Sequence, residues 1–250
     1  MAGGIRTKVM DFTNETGGKA LQRMEGWILR FSEVETTPFL SQDAFPWIKQ
    51  LEDGYDVIRK ELDVVLEYRD ELPNFQDIST DQLSITADDK WKTYFFFGYG
   101  FKSDTNCARC PETAKLLEHV PGMTTAFFSI LSPHKKIPPH RGPWRGVLRY
   151  HLALKIPEPA EDCGISVGDE VAHWTEGKSL LFDDGYEHYA WNGTDGTRVV
   201  LFMDVVRPLR PPGRWVNNGL IKLISISPFV RDGKARHLDW EKRFEAMRNR

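Results

Sequence analysis

Gly146-Val-Leu-Arg-Tyr-His-Leu-Ala-Leu-Lys-Ile156 alternates in character through its centre. In an extended chain Leu148, Tyr150 and Leu152 fall on one face, and Arg149 and His151 on the other. Two basic side chains on one face of an otherwise apolar strand point to a polar cavity inside a barrel. A strand whose outer face is simply wet gives the same pattern. Working outward, residues 91–99 (aromatic), 124–131, 178–183 and 197–206 also read as strands, and residues 163–174 read as a hairpin turning at Gly168-Asp169. Short strands divided by Gly and Pro predict a barrel or a two-sheet jelly roll.

Helical signals flank these strands. Trp47, Ile48, Leu51, Tyr55, Val57, Ile58, Leu62, Val65 and Leu66 recur at helical spacing and predict one or two amphipathic helices. A short helix is expected after Pro111, closed by Pro121-Gly122, and a charged helix near residues 238–250. The chain is therefore expected to be mainly β (α+β). Residues 1–90 form an N-terminal helical and irregular buttress, 91–208 the β core, and 209–250 a C-terminal helical tail, all in one domain.

Bulk properties permit an enzyme without demanding one. With 250 residues, one large core can be buried. Lys and Arg number 33 against 36 Asp and Glu, so no general attraction to nucleic acid is expected. No run approaches the roughly 18 apolar residues of a membrane span. Met1-Ala-Gly-Gly-Ile-Arg6 shows no secretory pattern, and three cysteines, Cys107, Cys110 and Cys163, make no disulfide framework. A cytoplasmic protein is expected. The lone Cys107-Ala-Arg-Cys110 lacks the second ligand pair of a zinc site and is read as structural. The sequons at Asn14 and Asn192 are discounted for want of a secretion signal.

Three residues carry the candidate chemistry. His140 sits in Pro139-His140-Arg141-Gly142-Pro143, a stiff setting that fixes a ligand in space. His188 follows Asp183-Asp184-Gly185-Tyr186-Glu187, at the end of an apolar strand. Arg198 opens the strand Arg198-Val-Val-Leu-Phe-Met-Asp204. Two imidazoles suit Fe(II). An arginine directed into a barrel needs an anion, and its planar fork matches a carboxylate. Each has a plainer reading: a loop histidine, a solvated turn histidine, an edge arginine in water.

Taken together, Lys136-Ile-Pro-Pro-His-Arg-Gly-Pro-Trp-Arg-Gly-Val-Leu-Arg-Tyr-His-Leu152, Phe182-Asp-Asp-Gly-Tyr-Glu-His-Tyr-Ala-Trp-Asn192 and Arg198-Val-Val-Leu-Phe-Met-Asp-Val-Val-Arg-Pro208 resemble the aspartyl/asparaginyl β-hydroxylase family. The resemblance covers roughly residues 91–208. It implies a double-stranded β-helix (a jelly-roll, cupin-like fold) and a dioxygenase dependent on Fe(II), with 2-oxoglutarate and O2 as co-substrates. His140 and His188 then correspond to the iron ligands. Arg198 corresponds to the arginine holding the distal carboxylate of 2-oxoglutarate. Ser129, Arg149 and His151 fall where the family contacts 2-oxoglutarate, and Trp91 matches a further contact more loosely. Gly142 stands where most of the wider superfamily places a third, carboxylate ligand. The peptide aspartyl hydroxylases of the family likewise have glycine there.

A second branch, the bacterial lipid A 2-hydroxylases, is also similar, through Thr36-Thr-Pro-Phe-Leu40, Cys110-Pro-Glu-Thr-Ala-Lys-Leu-Leu117 and the basic, then apolar, tail. The resemblance leaves three acceptors open: a peptide Asp or Asn, an acyl chain, and a small metabolite. A β-barrel binding module without catalysis is the alternative of another class. Arg207, Arg210, Arg214 and Trp215 suggest a peripheral contact with an anionic membrane, set against a tail that only packs across the barrel.

Overall fold

A computed structural model describes residues 23–79 and 85–248. The residues that alternate in the sequence form β5 (Val147–Lys155), an inner strand in the larger sheet of a two-sheet sandwich. The larger sheet has the order β2-β1-β3-β10-β5-β8, with β1 at Trp91–Gly98, β2 at Phe101–Lys102, β3 at Met123–Leu131, β8 at Ser179–Phe182 and β10 at Arg198–Val206. The smaller has the order β4-β9-β6-β7, with β4 at Lys135–His140, β6 at Cys163–Val167, β7 at Glu170–His173 and β9 at His188–Asn192. Every pairing in both sheets is antiparallel. This is the expected jelly roll.

Period-two alternation separates two cores. Phe127, Ala153, Val200 and Phe202 of the larger sheet meet Ile165, Val167 and Ala190 of the smaller one inside the sandwich. Leu148, Tyr150 and Leu152 point the other way with Val199, Leu201 and Met203. That outer face is not wet. Helices α1 (Trp47–Asp53) and α2 (Tyr55–Leu66) cover it, burying Trp47, Leu51, Ile58 and Leu62. The Trp47 ring meets Tyr150 edge-on at 5.1 Å. The inner face of β5, with Arg149 and His151, is therefore the cavity face.

Short helices brace this layer. α3 (Phe75–Ile78) lies beside β1, and α4 (Asp104–Arg109), which the sequence pattern did not reveal, leads into α5 (Pro111–Glu118). Glu61 of α2 accepts from the Glu112 and Thr113 amides and the Thr113 hydroxyl, satisfying free donors at the start of α5. Cys107, Cys110 and Cys163 are free and buried, consistent with a structural reading.

The sequence pattern also missed β4 and β9, which carry the two histidines. Prolines 138 and 139 argue against a strand, but β4 is an edge strand and its register shifts between Ile137 and His140. The tail is more helical than expected. α6 spans Gly213–Ser225, and α7 begins at Pro228 rather than near Leu238 and runs to Arg248. Trp240 and Phe244 of α7 join the outer core. Of the residues offered for a membrane contact, Arg207 is instead buried and ion-paired to Asp183 at 2.6 Å, as the packing alternative has it. Asn192 is also buried, its amide donating to the carbonyls of Leu131, Ser132 and Gly196. The sequon at Asn14 lies outside the described residues. Among the described residues, no helix is long and apolar enough to cross a membrane.

Candidate active site

His140 and His188 are directly opposed in the β4–β9 ladder, with ring centroids 4.2 Å apart. Each Nδ1 faces a carbonyl two residues back: Pro138 at 2.9 Å from His140, and Tyr186 at 3.0 Å from His188. A carbonyl only accepts, so both rings carry their proton on Nδ1 and keep an Nε2 lone pair. Burial lowers the pKa of both histidines below the ordinary range, that of His188 to about 3, with Arg149 adding to the effect. Two neutral, oriented imidazoles are a fit donor set for a divalent cation. Among the described residues, no group of three or more His, Cys, Asp and Glu is arranged to hold a metal.

The structure explains Gly142. A Cβ there would lie 2.1 Å from Asp184 Oδ2, and the Gly142 amide donates to the Asp184 carbonyl at 2.7 Å. Asp184 is fully buried, and burial pushes its carboxyl up to about 7. Arg149 Nη2 lies 2.8 Å from Asp184 Oδ2, but neither Asp184 oxygen receives a hydrogen bond of good geometry. Arg149 also donates through Nε to Asp204 at 2.9 Å and lies over the Phe202 ring. Arg149 is thus held at the histidine end by two buried carboxylates. The turn carrying Asp184 and His188 is braced by Asp183, which accepts from Arg145, Arg207 and the Gly185 amide.

Aromatic contacts lead inward from the histidines. Phe182 lies 6.0 Å from the His188 ring and 5.0 Å from the His151 ring, and His151 lies 6.0 Å from Trp174. The Trp174 ring carries the Arg198 guanidinium at 4.5 Å. Arg198 is 2% exposed, and its Nε and Nη1 have no partner. Burial lowers its pKa to about 10. Both ring nitrogens of His151 are also buried and unpaired, and burial, then Arg198, holds this histidine neutral well below the usual range. Ser129 lies opposite Val200, two positions along β10 from Arg198. Its Oγ accepts from Trp91 Nε1 at 3.0 Å, leaving the hydroxyl proton to donate. A buried guanidinium with two nitrogens unpaired is costly, and a carboxylate would satisfy them.

All seven residues singled out in the sequence therefore line the sandwich interior, in two groups. His140, His188 and Arg149 sit at one end, and Arg198, His151, Ser129 and Trp91 deeper in. Sequence reasoning missed Asp184, Asp204 and Trp174. Asp204 could have been found, because it closes the inward-facing series begun by Arg198. A cavity of about 600 Å³ opens from the histidine end. It passes Phe127 and Phe202 and reaches Ile221 and Ile224 of α6 and Val230 of α7.

The family model described as aspartyl/asparaginyl beta-hydroxylase matches residues 52–208. The chain is 49% identical over 226 residues to an ornithine lipid ester-linked acyl 2-hydroxylase from Rhizobium tropici, covering 89% of this chain and 80% of that protein. It is 32% identical over 203 residues to a human protein named aspartate beta-hydroxylase domain-containing protein 2, covering 76% of this chain and 52% of that one. It is also 32% identical over 182 residues to human aspartyl/asparaginyl beta-hydroxylase, covering 68% of this chain and 24% of that one. The chain thus spans about half and a quarter of these two human relatives. Among solved structures, a cupin domain of a transcriptional regulator from Enterobacter cloacae aligns with a TM-score of 0.34 at 11% identity, covering 48% of this chain and 99% of that one.

Proposed function

This chain belongs to the aspartyl/asparaginyl β-hydroxylase family, and from that membership we propose that it is an Fe(II)- and 2-oxoglutarate-dependent hydroxylase acting on the acyl chain of a lipid. The observation that carries the co-substrate is Arg198, a buried guanidinium with two unpaired nitrogens beside the unpaired His151. The donor set fits both groups. His140 and His188 would hold Fe(II) through Nε2. Arg198, His151 and the Ser129 hydroxyl would hold a carboxylate of 2-oxoglutarate. Bound Fe(II), with 2-oxoglutarate and O2, supplies the chemistry that replaces one C–H hydrogen by hydroxyl and releases succinate and CO2.

The chain's own residues orient and exclude water. The Pro138 and Tyr186 carbonyls fix the tautomer and tilt of the two imidazoles. Trp174 covers Arg198, so the arginine meets a carboxylate in a dry setting where a charge-assisted pair is strong. Phe127, Phe182 and Phe202 give the interior between the two ends apolar walls that disfavour water.

The acyl reading is supported by the cavity and by the Rhizobium relative, which is named for an ester-linked acyl chain. The cavity walls are mainly apolar, including Phe75, Phe95, Val147, Ile221 and Ile224, and they run from His140 to α6. Such a surface suits an alkyl tail better than an aspartyl side chain with its flanking peptide. The test is mass spectrometry for one added oxygen. Protein with Fe(II), ascorbate and 2-oxoglutarate is offered acylated lipids, Asp- and Asn-containing peptides and a small-molecule extract in parallel. Oxygen gained only in the lipid pool, and absent with His140→Ala, is the expected result. Gain only in the peptide pool overturns the acyl assignment, and no succinate from any pool overturns the reaction class.

A further inference from the structure

Helix α6 has two apolar faces. One turns inward, where Leu220 packs against the cluster of Ile28, Trp144 and Leu209, and Ile221 and Ile224 line the cavity. The other meets solvent. Trp215, Leu223 and Ile226 are 66%, 63% and 62% exposed, and Val216 is 38% exposed. At 3.6 residues per turn, 215, 216, 219, 223 and 226 share one side of the helix. Gly219, in the middle of that side, has nothing within 4 Å of where a Cβ would stand. Solvent-facing tryptophan and aliphatic residues grouped on one helix are a contact surface rather than ordinary scatter.

The charge around this face indicates what covers it. From Arg210 to Lys234 the chain has five basic residues, Arg210, Arg214, Lys222, Arg231 and Lys234, and one acidic residue, Asp232. All five basic side chains are exposed. A two-fold contact with a second copy would bring two faces with the same basic border together, which like-charge repulsion opposes. An anionic lipid surface complements both the apolar face and the basic border. The same helix walls the cavity that leads to His140, so a bilayer against its outer side lies one helix away from the cavity.

We propose that α6 is a membrane-docking helix that lies in the plane of an anionic bilayer, with Trp215, Val216, Leu223 and Ile226 inserted among the lipids and Arg210, Arg214 and Lys222 at the headgroups. The insertion is shallow, about 5–10 Å for such a helix. The inference rests on the acyl reading only for what docking delivers, namely a lipid tail to the cavity mouth.

The experiment is flotation of the full chain with phosphatidylcholine vesicles, with and without phosphatidylglycerol. Wild type is compared with a Trp215→Ser/Leu223→Ser/Ile226→Ser triple variant and an Arg214→Glu/Lys222→Glu double variant. Wild type should float with the phosphatidylglycerol vesicles, about tenfold less with the neutral ones and less again in high salt. The triple variant should lose both. The double variant should lose only the preference for anionic lipid. All three should share one thermal midpoint and hydroxylate micellar substrate equally, because none of these side chains lines the cavity. Wild type that stays with neither vesicle, or a triple variant that floats like wild type, overturns the docking. So does a wild-type dimer that the triple variant dissociates, because a second copy would then cover the face. Loss of wild-type turnover on micellar acyl lipid would count against the acyl reading instead and leave the flotation result standing.

Discussion

The Asp184 carboxylate fills the space into which any side chain at Gly142 would grow. A Cβ on Gly142 would lie 2.1 Å from Asp184 Oδ2 and 2.3 Å from its Cγ. Asp184 cannot step aside cheaply, because it is fully buried and paired with Arg149. The space beside Gly142 is thus already taken by one buried carboxylate, carried by the turn that leads into β9.

Restoring the superfamily's aspartate at this position should therefore fail. Gly142→Ala is expected to cost about 1–3 kcal/mol through overpacking. Gly142→Asp should cost more, since it also sets two buried carboxylates together. Thermal melts and Fe(II) titrations of the two variants check this. A Gly142→Asp protein that binds Fe(II) more tightly and melts no lower than wild type refutes the account.

The two histidines should be separable from the fold. Each ring is held by backbone groups of its own loop, His140 by the Pro138 carbonyl and His188 by Tyr186 and Asp184. His140→Ala and His188→Ala should each abolish turnover and the visible band formed anaerobically with Fe(II) and 2-oxoglutarate. The metal-free melting point should fall only modestly. Turnover within a few-fold of wild type in either variant would remove that residue from the ligand pair.

Much of this interior was legible in the sequence because strand alternation is a strong constraint. Once Leu148, Tyr150 and Leu152 are assigned to one face, Arg149 and His151 must share the other, and Arg198 follows by the same logic on β10. The role of the outer face was not legible, since alternation cannot say whether the second face meets water or helices. β4 is hidden because Pro138 and Pro139 suppress the strand signal, and only an edge position with a register shift accommodates them, while β9, five residues directly after a turn, is too short to show a clear alternation. Asp184 carries no sign of burial in the sequence. Its burial depends on a long-range contact with Gly142 and Arg149 that local sequence does not carry. The choice between the two readings of Arg207 was not legible for the same reason, its partner Asp183 lying 24 residues away in the chain.

Arg198 should behave as a binding residue that the fold bears at a cost. In co-substrate-free protein its guanidinium is buried with two nitrogens unpaired. Arg198→Met replaces it with an apolar side chain, so the ligand-free melting point should hold or rise. The stabilisation that 2-oxoglutarate gives wild type should vanish, and the KM for 2-oxoglutarate should rise at least about tenfold. Melting curves with and without 2-oxoglutarate decide it. A variant that is destabilised alone yet still responds to 2-oxoglutarate would show that Arg198 is a structural residue.

His151 should impose an acid penalty on stability. Its folded pKa lies well below the ordinary 6.5, through burial and then Arg198. As pH falls through that ordinary value the unfolded chain takes up a proton that the folded protein refuses, so stability drops. His151→Phe removes this contribution. Urea midpoints measured at neutral and mildly acidic pH should therefore fall less in the variant than in wild type. Equal falls in both would mean that His151 protonates in the folded state as readily as in the unfolded chain.

The length of the acyl chain accepted should be set where the cavity meets α6. Ile224 lines it with Phe75 and Phe95, remote in sequence from every residue of the two polar ends. Ile224→Trp should fill that part of the cavity without touching His140, His188 or Arg198. Turnover of long-chain acyl lipids should fall about tenfold or more, while short-chain analogues and 2-oxoglutarate binding stay near wild type. Mass spectrometry across a series of chain lengths gives the profile. A uniform loss at every length would place the change on folding or on the cation site. An unchanged profile would mean that the tail leaves the histidine pair by another route.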